Sequence, residues 1–196
     1  MTTTLVYLHG FNSAPQSIKG QLLAQAIAAL PTPPRFHLPQ LPLRPVEAMR
    51  ETTQWIEQHV DDIASLTLIG SSLGGYYATY LAERFGARAV VINPAIRAHA
   101  SLQSFLGPQR NLYTGESYEL TQAHLDDMRS FAVPRIARPE RYLLLVRAGD
   151  ELLDWREAVR YYAGAWQYVG GGGDHGWADF APMIPTIMQF AGVAAT

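Results

Sequence analysis

Two hydrophobic periods alternate along this chain. Short apolar runs stand at residues 5–8, 36–38, 66–69, 89–92, 142–146 and 166–169. Runs of this length with few polar interruptions suit strands of a parallel sheet that is covered on both faces. Between them, apolar positions recur at helical spacing over 17–30, 46–60, 73–85, 155–163 and about 182–190, most of them closed by Gly or Pro. The alternation predicts an α/β fold, a three-layer sandwich of about six mostly parallel strands between helices.

One stretch departs from the pattern. Residues 97–140 separate the fourth and fifth predicted strands, and so long a connection is seldom structureless in a compact domain. Within it Leu120, His124, Met128 and Phe131 return at helical spacing, which predicts a short helical cap. No internal repeat or interdomain linker interrupts residues 1–196, so a single domain with one cap insertion is expected.

Composition narrows the function classes. With 48% hydrophobic and 16% charged residues over 196 positions, the chain is neither disordered nor a fibrous repeat. Fifteen basic against seventeen acidic residues, net −2, give no long-range field for a polyanion, so neither nucleic acid nor an anionic membrane is expected as a partner. Lys19 is the only lysine, and the arginine excess reads as compositional bias. Zero cysteines exclude disulfides, thiolate metal sites and a cysteine nucleophile. The start Met1-Thr2-Thr3-Thr4 carries no basic segment and no apolar run reaches membrane-spanning length, so a cytoplasmic protein is expected.

The chemistry concentrates at Gly70-Ser71-Ser72-Leu73-Gly74, a GxSxG between an apolar strand and a helix. Such a strand-to-helix elbow lifts the Ser72 hydroxyl above the sheet edge, and its glycines avoid collisions across the tight turn. The Leu73 N–H, at the start of the helix, points toward the same place and can stabilise a developing oxyanion. A serine hydroxyl needs a base to take its proton. With this elbow the order along the chain is nucleophile, acid, base. His9, His37 and His59 precede Ser72, while His99 and His124 fall in the cap. His175 follows the last strand through Gly170-Gly171-Gly172-Gly173-Asp174 and is the expected base. A phosphate cradle is the other reading of those glycines, but no GK[ST] follows them and no GxGxxG stands after the first strand to support a nucleotide.

Three carboxylates follow the fifth strand. Asp154 with Glu157 fits a helix capping box. Asp150 stands nearer the strand end and is the expected partner of His175, with Glu151 turned away. The loop His9-Gly10-Phe11-Asn12 after the first strand is expected to supply the second oxyanion donor from the Phe11 backbone, with His9 as a buried brace. Nothing in the spacing of His and carboxylates suggests a metal site, and no cofactor is implied.

The segments YLHGFNSAP (7–15), IGSSLGGYYATYLAERFG (69–86), INPAIR (92–97), AGDELLDWREAVRYY (148–162) and GGGDHGW (171–177) together resemble the YqiA-like family of small bacterial esterases over nearly the whole chain. That resemblance implies the α/β-hydrolase fold, esterase or thioesterase activity, and Ser72, Asp150 and His175 as nucleophile, acid and base. Where the family commonly approaches its histidine through Gly-Gly-Asn-His, this chain has Asp174, which bears on the pH optimum.

The expected reaction is acyl transfer to water through an acyl-Ser72 intermediate, on small-molecule carboxylic esters or thioesters. A lyase or C–C hydrolase using the same three residues, and a homologue that binds a ligand without turnover, are the rival readings. Tyr76, Tyr77, Tyr113, Tyr118, Phe105 and Phe131 would suit an apolar acyl chain; Arg97, Arg129, Arg135 and Arg138 could hold an anionic leaving group. Each has an ordinary core or surface reading beside it.

Overall fold

A computed structural model describes residues 2–193. Its main sheet has six strands in the order β2-β1-β3-β4-β7-β8, and every pairing in it is parallel. The strands are β1 (Thr4–Leu8), β2 (Arg35–His37), β3 (Leu66–Ser71), β4 (Arg88–Ile92), β7 (Tyr142–Arg147) and β8 (Trp166–Gly170), each within two residues of its apolar run in the sequence. β1 and β3 are buried along their whole length, which is why their sequences lack a polar alternate position.

Successive side chains of a strand point to opposite faces, and the core divides accordingly. Val6, Leu8, Leu68, Val91 and Leu144 pack toward α2 (Pro45–His59) and α3 (Leu73–Phe85), meeting Met49, Ile56, Tyr77 and Leu81. Leu5, Tyr7, Ile69, Val90 and Leu145 pack toward α1 (Ile18–Ala28) and α7 (Ile184–Phe190), meeting Leu23, Ile27, Ile187 and Met188. Full burial of one such leucine or isoleucine is worth about 2 kcal/mol. Two independent apolar layers therefore clamp the sheet and hold its carboxyl edge as a rigid platform. α6 (Trp155–Tyr161) bridges β7 and β8 on the α3 side.

After β1 the chain moves out to β2 and then returns across β1 to β3, so the order reverses between β1 and β3. Crevices at such switch points are the usual ligand sites of open α/β sheets. The loops after β1 and β3 face each other there.

The insertion between β4 and β7 is mixed, not purely helical. It contains α4 (Ala98–Ser101), an antiparallel hairpin of β5 (Gly107–Arg110) and β6 (Ser117–Leu120), and α5 (Gln122–Ser130). The helix at the Leu120–Phe131 stripe is present, with Leu125 and Met128 buried. The hairpin escapes a periodicity reading because Gly-Pro-Gln-Arg and Ser-Tyr-Glu-Leu are largely exposed and carry no apolar alternation. It is fastened to the loop after β1: Asn12 Nδ2 donates to Gln109 Oε1 (2.9 Å), Tyr118 OH to Asn12 Oδ1 (2.8 Å), Asn111 Nδ2 to Ser13 O (2.8 Å) and Leu112 N to Asn12 O (2.9 Å). α5 is tied to the start of α2 by Arg44, whose Nε and Nη2 reach Asp127 Oδ2 at 3.0 and 2.8 Å.

Candidate active site

Ser72 sits between the end of β3 and the first turn of α3 with φ 57° and ψ −120°, a left-handed conformation that costs a non-glycine residue energy. The surroundings enforce it. A β-carbon at Gly70 would run into the Gly74 carbonyl, and one at Gly74 would run into the Leu8 carbonyl at the end of β1, so both glycines of GxSxG are steric requirements of the elbow. The Ser72 backbone is held by its N–H to Ile92 O (3.0 Å) and by its carbonyl, which accepts from Gly75 N (3.0 Å) and Ala95 N (3.1 Å).

His175 Nε2 lies 2.9 Å from Ser72 Oγ, and His175 Nδ1 lies 2.8 Å from Asp150 Oδ2. The second Asp150 oxygen accepts the N–H groups of Leu152 and Leu153, both at 2.9 Å. The Asp150 side chain is 2% exposed. Burial pushes its pKa up, but the hydrogen bond and charge of His175, with the two backbone donors, outweigh it and hold the carboxyl below its ordinary range. The three residues singled out in the sequence thus form one continuous hydrogen-bonded line from three separate loops.

The loop after β1 closes the opposite side. Gly10 packs so near that a β-carbon there would stand 3.2 Å from Ser72 Cβ. Neither the Phe11 nor the Leu73 N–H has an acceptor among the described residues. His9 acts as a brace: its Nε2 accepts from Leu41 N (3.1 Å), its Nδ1 meets Gly10 O (3.1 Å), and burial lowers its pKa against that carbonyl's pull. His124 completes a capping box with Thr121, while His37 and His59 both stack on Trp55, with ring centroids at 3.9 and 4.6 Å. Asp154 caps α6 by accepting Arg156 N (3.0 Å); Glu157 pairs with Arg97 (2.7 Å) and does not complete the capping box. Asp174 is turned into its own loop, accepting Trp177 N at 2.6 Å.

Two expectations need correction or extension. Glu151 does not turn away: its Oε2 accepts the backbone N–H of His175 at 3.0 Å. Asn93, which sequence reading passed over, donates from Nδ2 to His175 O (3.1 Å) and accepts Arg147 N (3.0 Å) on Oδ1. It is 2% exposed with φ 40°. A polar residue directly after an apolar strand, before Pro94, was the available signal. The apolar-chain reading of the tyrosines is also reduced, since Tyr76 and Tyr77 are core residues and of the set only Tyr113 lines the pocket that holds Ser72 and His175. Among the described residues no group of three or more His, Asp or Glu is placed to hold a metal ion, and no helix is long and apolar enough to cross a membrane.

The sheet order, the elbow and the loop order define an α/β-hydrolase fold. Solved structures agree. The chain is similar to alpha/beta hydrolase domain-containing protein 10 from mouse (TM-score 0.72, 16% identity, covering 98% of this chain and 90% of that one). It is also similar to an esterase domain of a Rhodothermus marinus protein (0.69, 17%, 96% and 86%) and to a structure of the metagenome-derived lipolytic enzymes LipS and LipT (0.68, 19%, 98% and 94%). Over residues 4–192 the chain matches the model of the uncharacterised protein family UPF0227, and it belongs to that family, the one its motifs resemble as YqiA-like esterases.

Proposed function

We propose that this protein is a serine hydrolase that cleaves carboxylic esters or acyl thioesters, with Ser72 as nucleophile, His175 as general base and acid, and Asp150 as the residue that orients and stabilises the imidazole. The observation that carries the reading is the line Ser72 Oγ to His175 Nε2 (2.9 Å) and His175 Nδ1 to Asp150 Oδ2 (2.8 Å) at the mouth of a pocket of about 240 Å³. The fold neighbours named for esterase and lipolytic activity are consistent with it.

In this mechanism His175 takes the Ser72 proton as Oγ adds to the acyl carbon. The carbonyl oxygen becomes an oxyanion facing the free N–H groups of Phe11 and Leu73. His175 then returns the proton to the leaving oxygen or sulfur, and an acyl-Ser72 ester remains. Water activated by the same imidazole attacks the ester and releases the acid. The ionised Asp150 keeps Nδ1 protonated and balances the imidazolium in both steps.

A fluorophosphonate reagent tests the assignment. One adduct at Ser72, located by mass spectrometry and absent from Ser72→Ala, is expected; an adduct elsewhere overturns it. Turnover of matched oxyesters and thioesters of graded length then decides between the two substrate classes.

A further inference from the structure

Lys19 is the only lysine of the chain, and it is placed where a lysine is costly. It sits in the first turn of α1, 9% exposed, and lines the pocket that contains Ser72 and His175. Its Nζ donates to Gly176 O, next to the proposed base. An ammonium has three N–H donors, and among the described residues no carboxylate lies within ion-pair distance of this one. Burying a charge without a partner is unfavourable unless something else compensates it.

Other polar side chains reach the same pocket beside the apolar Phe11. Tyr7, Ser13, Ser17 and Ser71 line it. Apolar Ile18 and Leu112 stand at the rim, 62% and 81% exposed. The first turn of α1 carries no acidic side chain, so the positive end of an 11-residue helix adds to the Lys19 charge. Three of the arginines that the sequence offered for an anion are engaged on the surface instead: Arg97 with Glu157, Arg129 with Asp126 and Arg138 with Glu140.

Resting on the serine-hydrolase reading above, we propose that this pocket selects esters that carry a carboxylate a few bonds from the scissile carbonyl, with the Lys19 ammonium as its ion-pair partner. The carboxylate can belong to the acyl half or to the alcohol half of the ester. In either case it adds to the ammonium's hydrogen bonding and supplies a direct ion-pair partner, since Asp174 and Asp150 act on Lys19 only from beyond ion-pair distance. Burial lowers the Lys19 pKa to about 8, against the opposing pull of Asp174 and Asp150. His175 and the phenols of Tyr7 and Tyr113 are the other titratable groups with Lys19 around the pocket; burial raises the Tyr7 phenol, which stays neutral.

The test compares kcat/KM, by pH-stat, for monoethyl succinate against ethyl pentanoate and for 4-acetoxybutanoate against pentyl acetate. The first pair places the carboxylate in the acyl half and the second in the alcohol half. The full-length protein is expected to prefer the anionic member of one pair by about 10- to 100-fold, the range of a charge-assisted hydrogen bond. Lys19→Gln should abolish that preference while Lys19→Arg retains most of it, and in the unaltered protein the preference should fall as pH rises through about 8. Using the ratio within each variant cancels any general loss from a loosened Gly176 loop. Equal losses for both members in Lys19→Gln, or no preference in the unaltered protein, would mean that Lys19 only braces the loop and would overturn the inference. If the protein labels at Ser72 and hydrolyses the neutral esters in that case, the hydrolase reading survives; absence of labelling and of all turnover overturns both.

Discussion

The two halves of the proposed triad are held in opposite ways. The Ser72 elbow is fixed by its own backbone: Gly70 and Gly74 allow two segments to touch, and the left-handed φ of Ser72 follows from that contact. The His175 loop begins with three glycines, two of them at positive φ, and its own sequence fixes little. Side chains from three distant elements hold it: Lys19 on Gly176 O, Asn93 on His175 O and Glu151 on His175 N. A rigid Ser72, the proposed nucleophile, thus faces a proposed base, His175, whose position is assembled from elsewhere. Damage at the elbow should remove the chemistry itself; damage at the supports of His175 should misplace it.

The largest effect is expected at the nucleophile. Ser72→Ala should lower kcat by several orders of magnitude, with the melting temperature unchanged or raised because strain at φ 57° is not worsened by alanine. Next comes Asp150→Asn, with a fall in kcat on the order of 10⁴ in a folded protein, since the amide presents the wrong partner to His175 Nδ1. Because the Asp150 pKa is held below its unfolded value, its contribution to stability is complete above the ordinary carboxylate range and disappears as pH falls through the lowered one. The gap in melting temperature between unaltered protein and Asp150→Asn should therefore close on acidification; a constant gap would refute the linkage.

Asn93→Ala and Glu151→Gln sharpen the comparison, since both side chains reach His175 only through its backbone. Each is expected to cost about 10- to 100-fold in kcat with little change in KM, because displacement of the base by an ångström suffices for such a loss. Unchanged kcat in both would show that the glycine run needs no outside support. The smallest effect is expected at Asp154. Asp154→Ala removes the α6 cap and about 1 kcal/mol of stability, read as a lower melting temperature, and leaves kcat near its original value.

What the sequence disclosed follows the same division. Continuous apolar runs located β1, β3, β4 and β7, because a strand buried on both faces has no polar alternate. The elbow was legible for a similar reason, as its geometry is dictated within five consecutive residues. Capping at Asp154 and the order of Ser72, Asp150 and His175 were likewise local or ordinal signals. The β5–β6 hairpin was not legible, since it is stabilised by Asn12 and not by its own apolar pattern. Nor were Asn93, Glu151 and Lys19 as supports of His175: hydrogen bonds from side chain to backbone across 24 to 157 positions leave no periodic trace.

The position of β8 at the edge of the sheet has a consequence for synthesis. β1, β3 and β4 can pair in the order in which they are made, so the Ser72 elbow can be framed before β7 and β8 join the sheet. His175, the proposed base, follows β8, the last strand of the sheet in chain order, and its loop is anchored back on α1, which precedes β3. On the proposed reading, Ser72 is shaped before its base is in place, and the site is complete only when the segment after β8 closes back onto α1.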